Sequence, residues 1–357
     1  MANGHVTLGY NTGYWGSGPP QGALEAIKEA DRLGYDSVWT AEAYGSDSLT
    51  PLAWWGAHTE NVRLGTSIVQ MSARTPAATA MAAMTMDHLS NGRFILGLGA
   101  SGPQVIEGFH GVPYEKPMQR IKEYIEVCRN VWAREAPLEY HGKTVDIPLP
   151  AGQGTGLGKA LKIINHPVRK DIPIWWASLK DKSVEATAEM ADGWLPIMFY
   201  PERYHNVWGD QLKAGLAKRD PSRGRLEISA GGMLAIDDSL TGDAQKKVLD
   251  MARPNMALYV GGMGARGKNF YNDICRDYGF EKEAVDIQDF YLEGKKAEAA
   301  AAIPAEWIMN ANLVGSTGFI KERVAAFKES GVTVLSVNPV GPDPVGQIEK
   351  LRAIIDA

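Results

Sequence analysis

The chain has 357 residues, is 45% hydrophobic and carries a formal charge of −5, from 37 Lys and Arg against 42 Asp and Glu. That apolar content suffices for a large core, and the acidic balance argues against nucleic acid or an anionic membrane surface as a partner. The widely spaced Cys128 and Cys275 fit free thiols, no apolar run reaches the ~18 residues of a membrane span, and the stretch Met1–Trp15 lacks the regions of a signal peptide, so the expected location is the cytoplasm.

Strands and helices alternate along the chain. Val6–Tyr10 reads as a first strand, followed by a helix at Gln21–Leu33 whose apolar Ala23, Leu24, Ile27, Ala30 and Leu33 recur near the helical period. Ser37–Thr40 reads as the second strand, Leu52–Thr59 as a helix and Leu64–Val69 as the third strand. A helix at Thr75–Leu89 has Thr75 as its N-cap and Pro76 in its first turn. Met71, Met81, Met84 and Met86 read as core packing. Phe94–Gly99 is the fourth strand and runs into a glycine-rich loop; Pro117–Trp132 is a long helix. Ile172–Ala177, Gly193–Met198, Leu226–Ile236 and Val332–Asn338 read as the fifth to eighth strands, with helices at Asp181–Met190, Pro201–Leu216 and Val345–Ile355.

Eight strands alternating with helices predict an α/β fold, a (β/α)8 barrel in one domain spanning residues 1–357. Two insertions interrupt the repeat. Glu139–Lys170 contains a hairpin turn at His141–Lys143, and Gly242–Thr317 holds helices, the loop Gly261–Phe270 and a helix around Glu293–Ala302. Long excursions at the carboxyl face of a barrel are expected to close over substrate.

The chemistry is sought at the carboxyl ends of the strands, where such folds bind ligands. Those ends offer Asn11, Glu42 and Tyr44, Ser67, the run Ala100-Ser101-Gly102-Pro103-Gln104, and Ala177-Ser178-Leu179-Lys180. No His, Cys and carboxylate cluster has metal-ligand spacing, and no nucleophile elbow is present. Glycines after the fourth strand let backbone approach a flat or anionic ligand, and the helix after Lys180 offers N–H groups to a phosphate. Two such loops with few ionisable groups suit a bound cofactor that carries its own chemistry.

The segments Gly34–Trp39, Leu64–Ile68, Leu89–Gly97, Gly99–Gln104 with Glu107–Gly111, and Ala191–Gly193 resemble the bacterial-luciferase-like superfamily, in its branch of coenzyme F420-dependent oxidoreductases. The resemblance implies a barrel with a non-prolyl cis peptide after the third strand, here Ser67–Ile68, backing the deazaflavin ring. It implies that Ala100, Ser101, Gly102 and Gln104 contact the cofactor and that Ala177, Ser178, Leu179 and Lys180 hold its phosphate. Related sugar-phosphate dehydrogenases carry an Asp-His pair after the second strand; here Glu42-Ala43 stands there, so that acid–base role does not transfer.

Glu42 and His110 are the candidate catalytic groups, with Glu107 and Tyr44 also candidate proton donors or acceptors. Tyr14, Trp15 and Tyr44 are candidates to line a small-molecule substrate pocket, and Arg266–Lys268 to meet an anionic cofactor tail. Family members are often dimers, and Leu52–Ala57 with Trp54 and Trp55 is a candidate interface. The expected activity is hydride transfer between coenzyme F420 and an alcohol, carbonyl or activated double bond. The alternatives are an FMN-dependent monooxygenase and a non-catalytic F420-binding protein.

Overall fold

A computed structural model describes residues 6–357, so the first five residues of the N-terminal stretch lie outside it. The strands in chain order are β1 Thr7–Asn11, β2 Ser37–Thr40, β3 Arg63–Thr66, β4 Val69–Gln70, β5 Phe94–Gly99, β6 Tyr140–His141, β7 Asp146–Ile147, β8 Ile174–Ala177, β9 Gly193–Trp194, β10 Glu227–Ala230, β11 Met233–Ile236, β12 Leu313–Gly315 and β13 Val334–Pro339. Helices alternate with the parallel strands except between β3 and β4 and between β10 and β11, and the fold is the expected (β/α)8 barrel. Among the described residues no helix is long and apolar enough to cross a membrane.

The chain packs as two compact units. One holds residues 11–177 and 191–195; the other holds residues up to Tyr10, 178–190 and 196–357. In the first, parallel ladders place Ser37 beside Arg63, Leu64 beside Phe94, Leu96 beside Ile174 and Trp175 beside Gly193. Bulky and absent side chains are matched across these strands. The rings of Trp39 and Trp175 lie 4.9 Å apart. A Cβ on Gly65 would fall 2.3 Å from the Trp39 ring, and one on Gly193 would fall 2.1 Å from the Trp175 ring. In the second unit, β13 pairs with β1, β10 and β11, and β12 extends β11.

Four departures from the sequence reading have local causes. The third strand is not one run, because the expected cis peptide at Ser67–Ile68 is present: β3 ends at Thr66 and the chain resumes as β4. The sixth strand stops at Trp194 well short of Met198, because Pro196 has no N–H for a ladder and Met198 has φ 56°. The seventh is split at Gly231-Gly232, where Cβ atoms would meet the Ser336 carbonyl oxygen at 2.0 Å and Asn312 Oδ1 at 2.4 Å. The second insertion is not helices and loops alone, since it ends in β12, a three-residue run too short for periodicity to reveal. Part of its expected loop is a π-helical turn at Leu258–Gly262.

Met71, Met84 and Met86 are buried as expected, whereas Met81 is 58% exposed on the outer face of helix Pro76–Leu89. The hairpin of the first insertion is present as antiparallel β6 and β7.

Candidate active site

The break after β3 gathers the polar groups. Leaving β2, the chain places Glu42, which is 7% exposed, against the start of helix Leu49–Gly56 and the segment after the cis peptide. Glu42 Oε2 accepts from the Ser48 N–H at 3.2 Å. Its Oε1 accepts from the Gln70 N–H at 3.1 Å and from Arg74 Nη1 at 2.8 Å. Both carboxylate oxygens are thus met by protein donors, as burial of a charge requires.

Gln70 is 1% exposed and links this centre to His110. Its Nε2 donates to the Ala43 carbonyl at 2.9 Å and to the Glu42 carbonyl at 3.4 Å. Its Oε1 lies 2.8 Å from His110 Nε2. His110 is half-buried, and its Nδ1 has no hydrogen-bond partner among the described residues. Phe109 stacks edge-on to His110 at 5.2 Å and lies 6.5 Å from Tyr44; Phe109 and Tyr44 are each 65% exposed.

The loop after β5 is set by its own backbone. Ser101 has φ 57°, and its carbonyl accepts from the Tyr114 hydroxyl at 3.1 Å. Glu107 is exposed and accepts from the Tyr114 N–H at 3.1 Å, which gives it a loop-holding task. Among the described residues, the N–H groups of Ser101 and Gly102 and the side chains of Ser101 and Gln104 have no hydrogen-bond partner. Ala100 is half-buried and Gln104 exposed.

The glycines within β5 serve packing between strands. A Cβ on Gly97 would stand 1.7 Å from the Thr66 carbonyl oxygen, and one on Gly99 would stand 2.5 Å from Ile68 Cδ1. The missing side chains make room for neighbouring protein. Thr66 Oγ1 also donates to the Gly97 carbonyl at 3.0 Å and accepts its N–H at 2.9 Å. The Ser67 N–H donates to the Thr40 carbonyl at 2.6 Å. Ser67 and Ile68 are thereby fixed between β2 and β5.

Tyr14 is 53% exposed, and the ring of half-buried Trp15 lies 6.1 Å from that of buried Trp55. Ala177 ends β8 half-buried. In the other unit, Ser178 is 4% exposed and its hydroxyl pairs with Thr187 Oγ1 at 2.7 Å. The Leu179 carbonyl accepts from Trp208 Nε1 at 3.0 Å. Lys180 Nζ lies 2.7 Å from Asp273 Oδ2 and 4.4 Å from the Phe270 ring. Arg266 is paired with Asp289.

The profile of the luciferase-like monooxygenase family matches residues 1–334. This chain belongs to that family. It is 44% identical over 352 residues to a Mycobacterium tuberculosis protein provisionally named a coenzyme F420-dependent oxidoreductase, with 98% of this chain and 99% of that one covered. The luciferase-like fold recurs in solved structures. The coenzyme F420-dependent tetrahydromethanopterin reductase from Methanopyrus kandleri gives a TM-score of 0.75 at 22% identity, over 98% of this chain and 97% of its own. An F420-dependent secondary alcohol dehydrogenase in complex with an F420–acetone adduct gives 0.71 at 19% identity, over 98% of each chain.

Within this luciferase-like chain, the first unit brings Glu42 and His110 together through Gln70. Gln70, Arg74 and Phe109 were not singled out in the sequence. Gln70 lies in a two-residue strand beyond an irregular peptide, and Arg74 in a loop, so no periodicity marks either.

Proposed function

We propose that this luciferase-like family member is a coenzyme F420-dependent oxidoreductase, transferring a hydride between the deazaflavin and an organic alcohol, carbonyl or activated double bond. When bound, the deazaflavin supplies the hydride donor or acceptor at its central ring carbon. The residues present fit such a group. The unpartnered N–H groups of Ser101 and Gly102 and side chains of Ser101 and Gln104 form a polar set suited to the edge of a flat, acceptor-rich ring. Ser67, Ile68 and Ala100 complete the proposed cofactor contact, and Tyr14, Trp15 and Tyr44 the proposed substrate contact.

The observation that carries the proposal is His110, a half-buried imidazole with one nitrogen held at 2.8 Å from Gln70 and the other unpartnered. It is the proposed proton-transfer group. Glu42 is proposed as a positioning residue, since both its oxygens are taken by protein donors. The 44% identical relative's name supports the cofactor, and the solved alcohol dehydrogenase supports a carbonyl–alcohol pair as one substrate class. Lys180 is the proposed phosphate contact together with Ala177, Ser178 and Leu179. Its ion pair with Asp273 joins side chains that are 47% and 43% exposed, and exchanging such a pair for a ligand costs only about 0–1 kcal/mol.

Titrating the protein with coenzyme F420 and with FMN, read by fluorescence quenching, tests the reading. F420 is expected to bind more tightly. Tighter FMN binding moves the chain to the FMN monooxygenases, and F420 binding without turnover by any reductant or acceptor makes it a cofactor-binding protein. We further propose a cytoplasmic homodimer, paired through helix Leu49–Gly56, where Trp54 is 66% exposed. Sedimentation of the native protein and of Trp54→Arg tests this pairing; a wild-type monomer rejects it. One cooperative unfolding transition is expected if residues 1–357 behave as a single domain.

A further inference from the structure

We infer that Gln70 is a positioning residue that fixes the tautomer of His110, so that every proton the imidazole exchanges passes through Nδ1. A glutamine amide has a donor end and an acceptor end, and its surroundings decide which faces where. Here Nε2 faces the Ala43 carbonyl at 2.9 Å and the Glu42 carbonyl at 3.4 Å. Turning the amide over would set Oε1 against two carbonyl oxygens in a site where Gln70 is 1% exposed, leaving buried lone pairs opposed and two carbonyls without their donor. The acceptor end therefore faces His110. At 2.8 Å from Oε1, His110 Nε2 must carry the hydrogen.

In the neutral ring the remaining lone pair is then on Nδ1, which has no partner among the described residues. The same bond serves the charged ring, because Nε2–H donates to Gln70 in both forms. In the alcohol-oxidising direction the substrate carbon would give up its hydride to the deazaflavin acceptor proposed above, and the hydroxyl proton goes to Nδ1. In the reverse direction Nδ1–H gives that proton to the oxygen of the reduced carbonyl. Gln70 stays bonded throughout and never exchanges a proton. Gln70 is itself anchored by its backbone N–H on Glu42 Oε1 at 3.1 Å, so the Glu42–Arg74 pair sets the ring through it.

The catalytic meaning of this arrangement rests on the function proposed above; the tautomer does not. Both are tested with the full chain labelled with 15N at histidine, with His110 assigned by its disappearance in His110→Gln. At alkaline pH, where histidine is ordinarily neutral, the wild type is expected to show widely split ring nitrogens, Nε2 protonated and Nδ1 not. In Gln70→Leu that splitting is expected to collapse as the tautomers mix. A wild-type ring protonated at Nδ1 overturns the inference whether or not the variant folds, as does an unchanged pattern in a folded Gln70→Leu protein. Failure to quench coenzyme F420 fluorescence would instead remove the functional reading and leave the tautomer standing.

Discussion

Arg74 Nη1 lies 2.8 Å from Glu42 Oε1, and this ion pair joins the end of β2 to the turn before helix Pro76–Leu89. Glu42 is the buried partner, with a side chain 6% exposed against 26% for Arg74. Truncating one member of such a pair strands the other. Glu42→Ala, which also removes the acceptor of the Ser48 and Gln70 N–H groups, is expected to cost about 3 kcal/mol in urea unfolding. Arg74→Met should cost less, because it leaves Glu42 two backbone donors. Equal, small losses would show the pair to be an ordinary surface contact.

Gly97 and Gly99 should respond differently to the same methyl group. At Gly97 the obstacle is backbone, the Thr66 carbonyl oxygen 1.7 Å from the added carbon. Gly97→Ala is expected to lose about 4 kcal/mol or more and to yield little folded protein. At Gly99 the obstacle is the tip of Ile68, at 2.5 Å. Gly99→Ala should cost about 1–3 kcal/mol by overpacking. Ile68→Val removes Cδ1, so the double variant should melt above Gly99→Ala alone, with a coupling of about 1 kcal/mol. Additive losses would mean that the methyl group meets something else.

The barrel was legible because its strands and helices announce themselves by period and by punctuation. Thr75 accepts the Ala78 N–H as the N-cap it resembles, and β2, β5 and helix Asp181–Met190 fall on their expected bounds. The candidate site was legible only in part. Glu42 and His110 stand out as ionisable groups near strand ends, but their connection runs through an amide 28 residues from Glu42 and 40 from His110. Nothing local encodes such a bridge; it exists only once the fold brings Gln70 of β4 to the segment that leaves β2. The packing role of Gly97 and Gly99 was hidden for the same reason, since a missing side chain does not say what lies beside it. Nor could the sequence show that the Ser178 hydroxyl meets Thr187 in the helix that follows it.

Both cysteines should be inert in the native protein. Cys128 is fully buried, and burial raises its thiol pKa far above the ordinary range. Cys275 is pushed up to about 12, chiefly by burial and then by the Glu283 carboxylate. A protonated, enclosed thiol neither attacks disulfides nor oxidises readily. Ellman's reagent should find no reactive thiol in the folded chain and two after denaturation. Rapid native labelling would show that helix Pro117–Ala133 or helix Phe270–Asp277 opens easily.

The hairpin of the first insertion should undock in acid, because one carboxylate holds it. Glu123, 2% exposed on helix Pro117–Ala133, accepts from the Lys143, Thr144 and Val145 N–H groups at 2.7, 2.8 and 3.0 Å and from Gln119 Nε2 at 2.7 Å. Gly142 leaves room for this, since a Cβ there would lie 2.5 Å from Glu123 Oε2. Burial alone would raise the carboxyl pKa, but the donors from Thr144, Gln119 and Lys143 outweigh it and bring it from 4.5 down to about 2. A depressed carboxylate pKa stabilises the fold fully above 4.5 and loses that contribution as pH falls toward 2. Exchange of the Lys143–Val145 amides should therefore show falling protection across that window. Glu123→Gln replaces an acceptor by a donor facing backbone N–H groups, so it should loosen the hairpin by about 2 kcal/mol at neutral pH and abolish the acid dependence. Gly142→Ala should loosen it while keeping the dependence. Acid-dependent protection that survives in Glu123→Gln would assign the switch to another carboxylate.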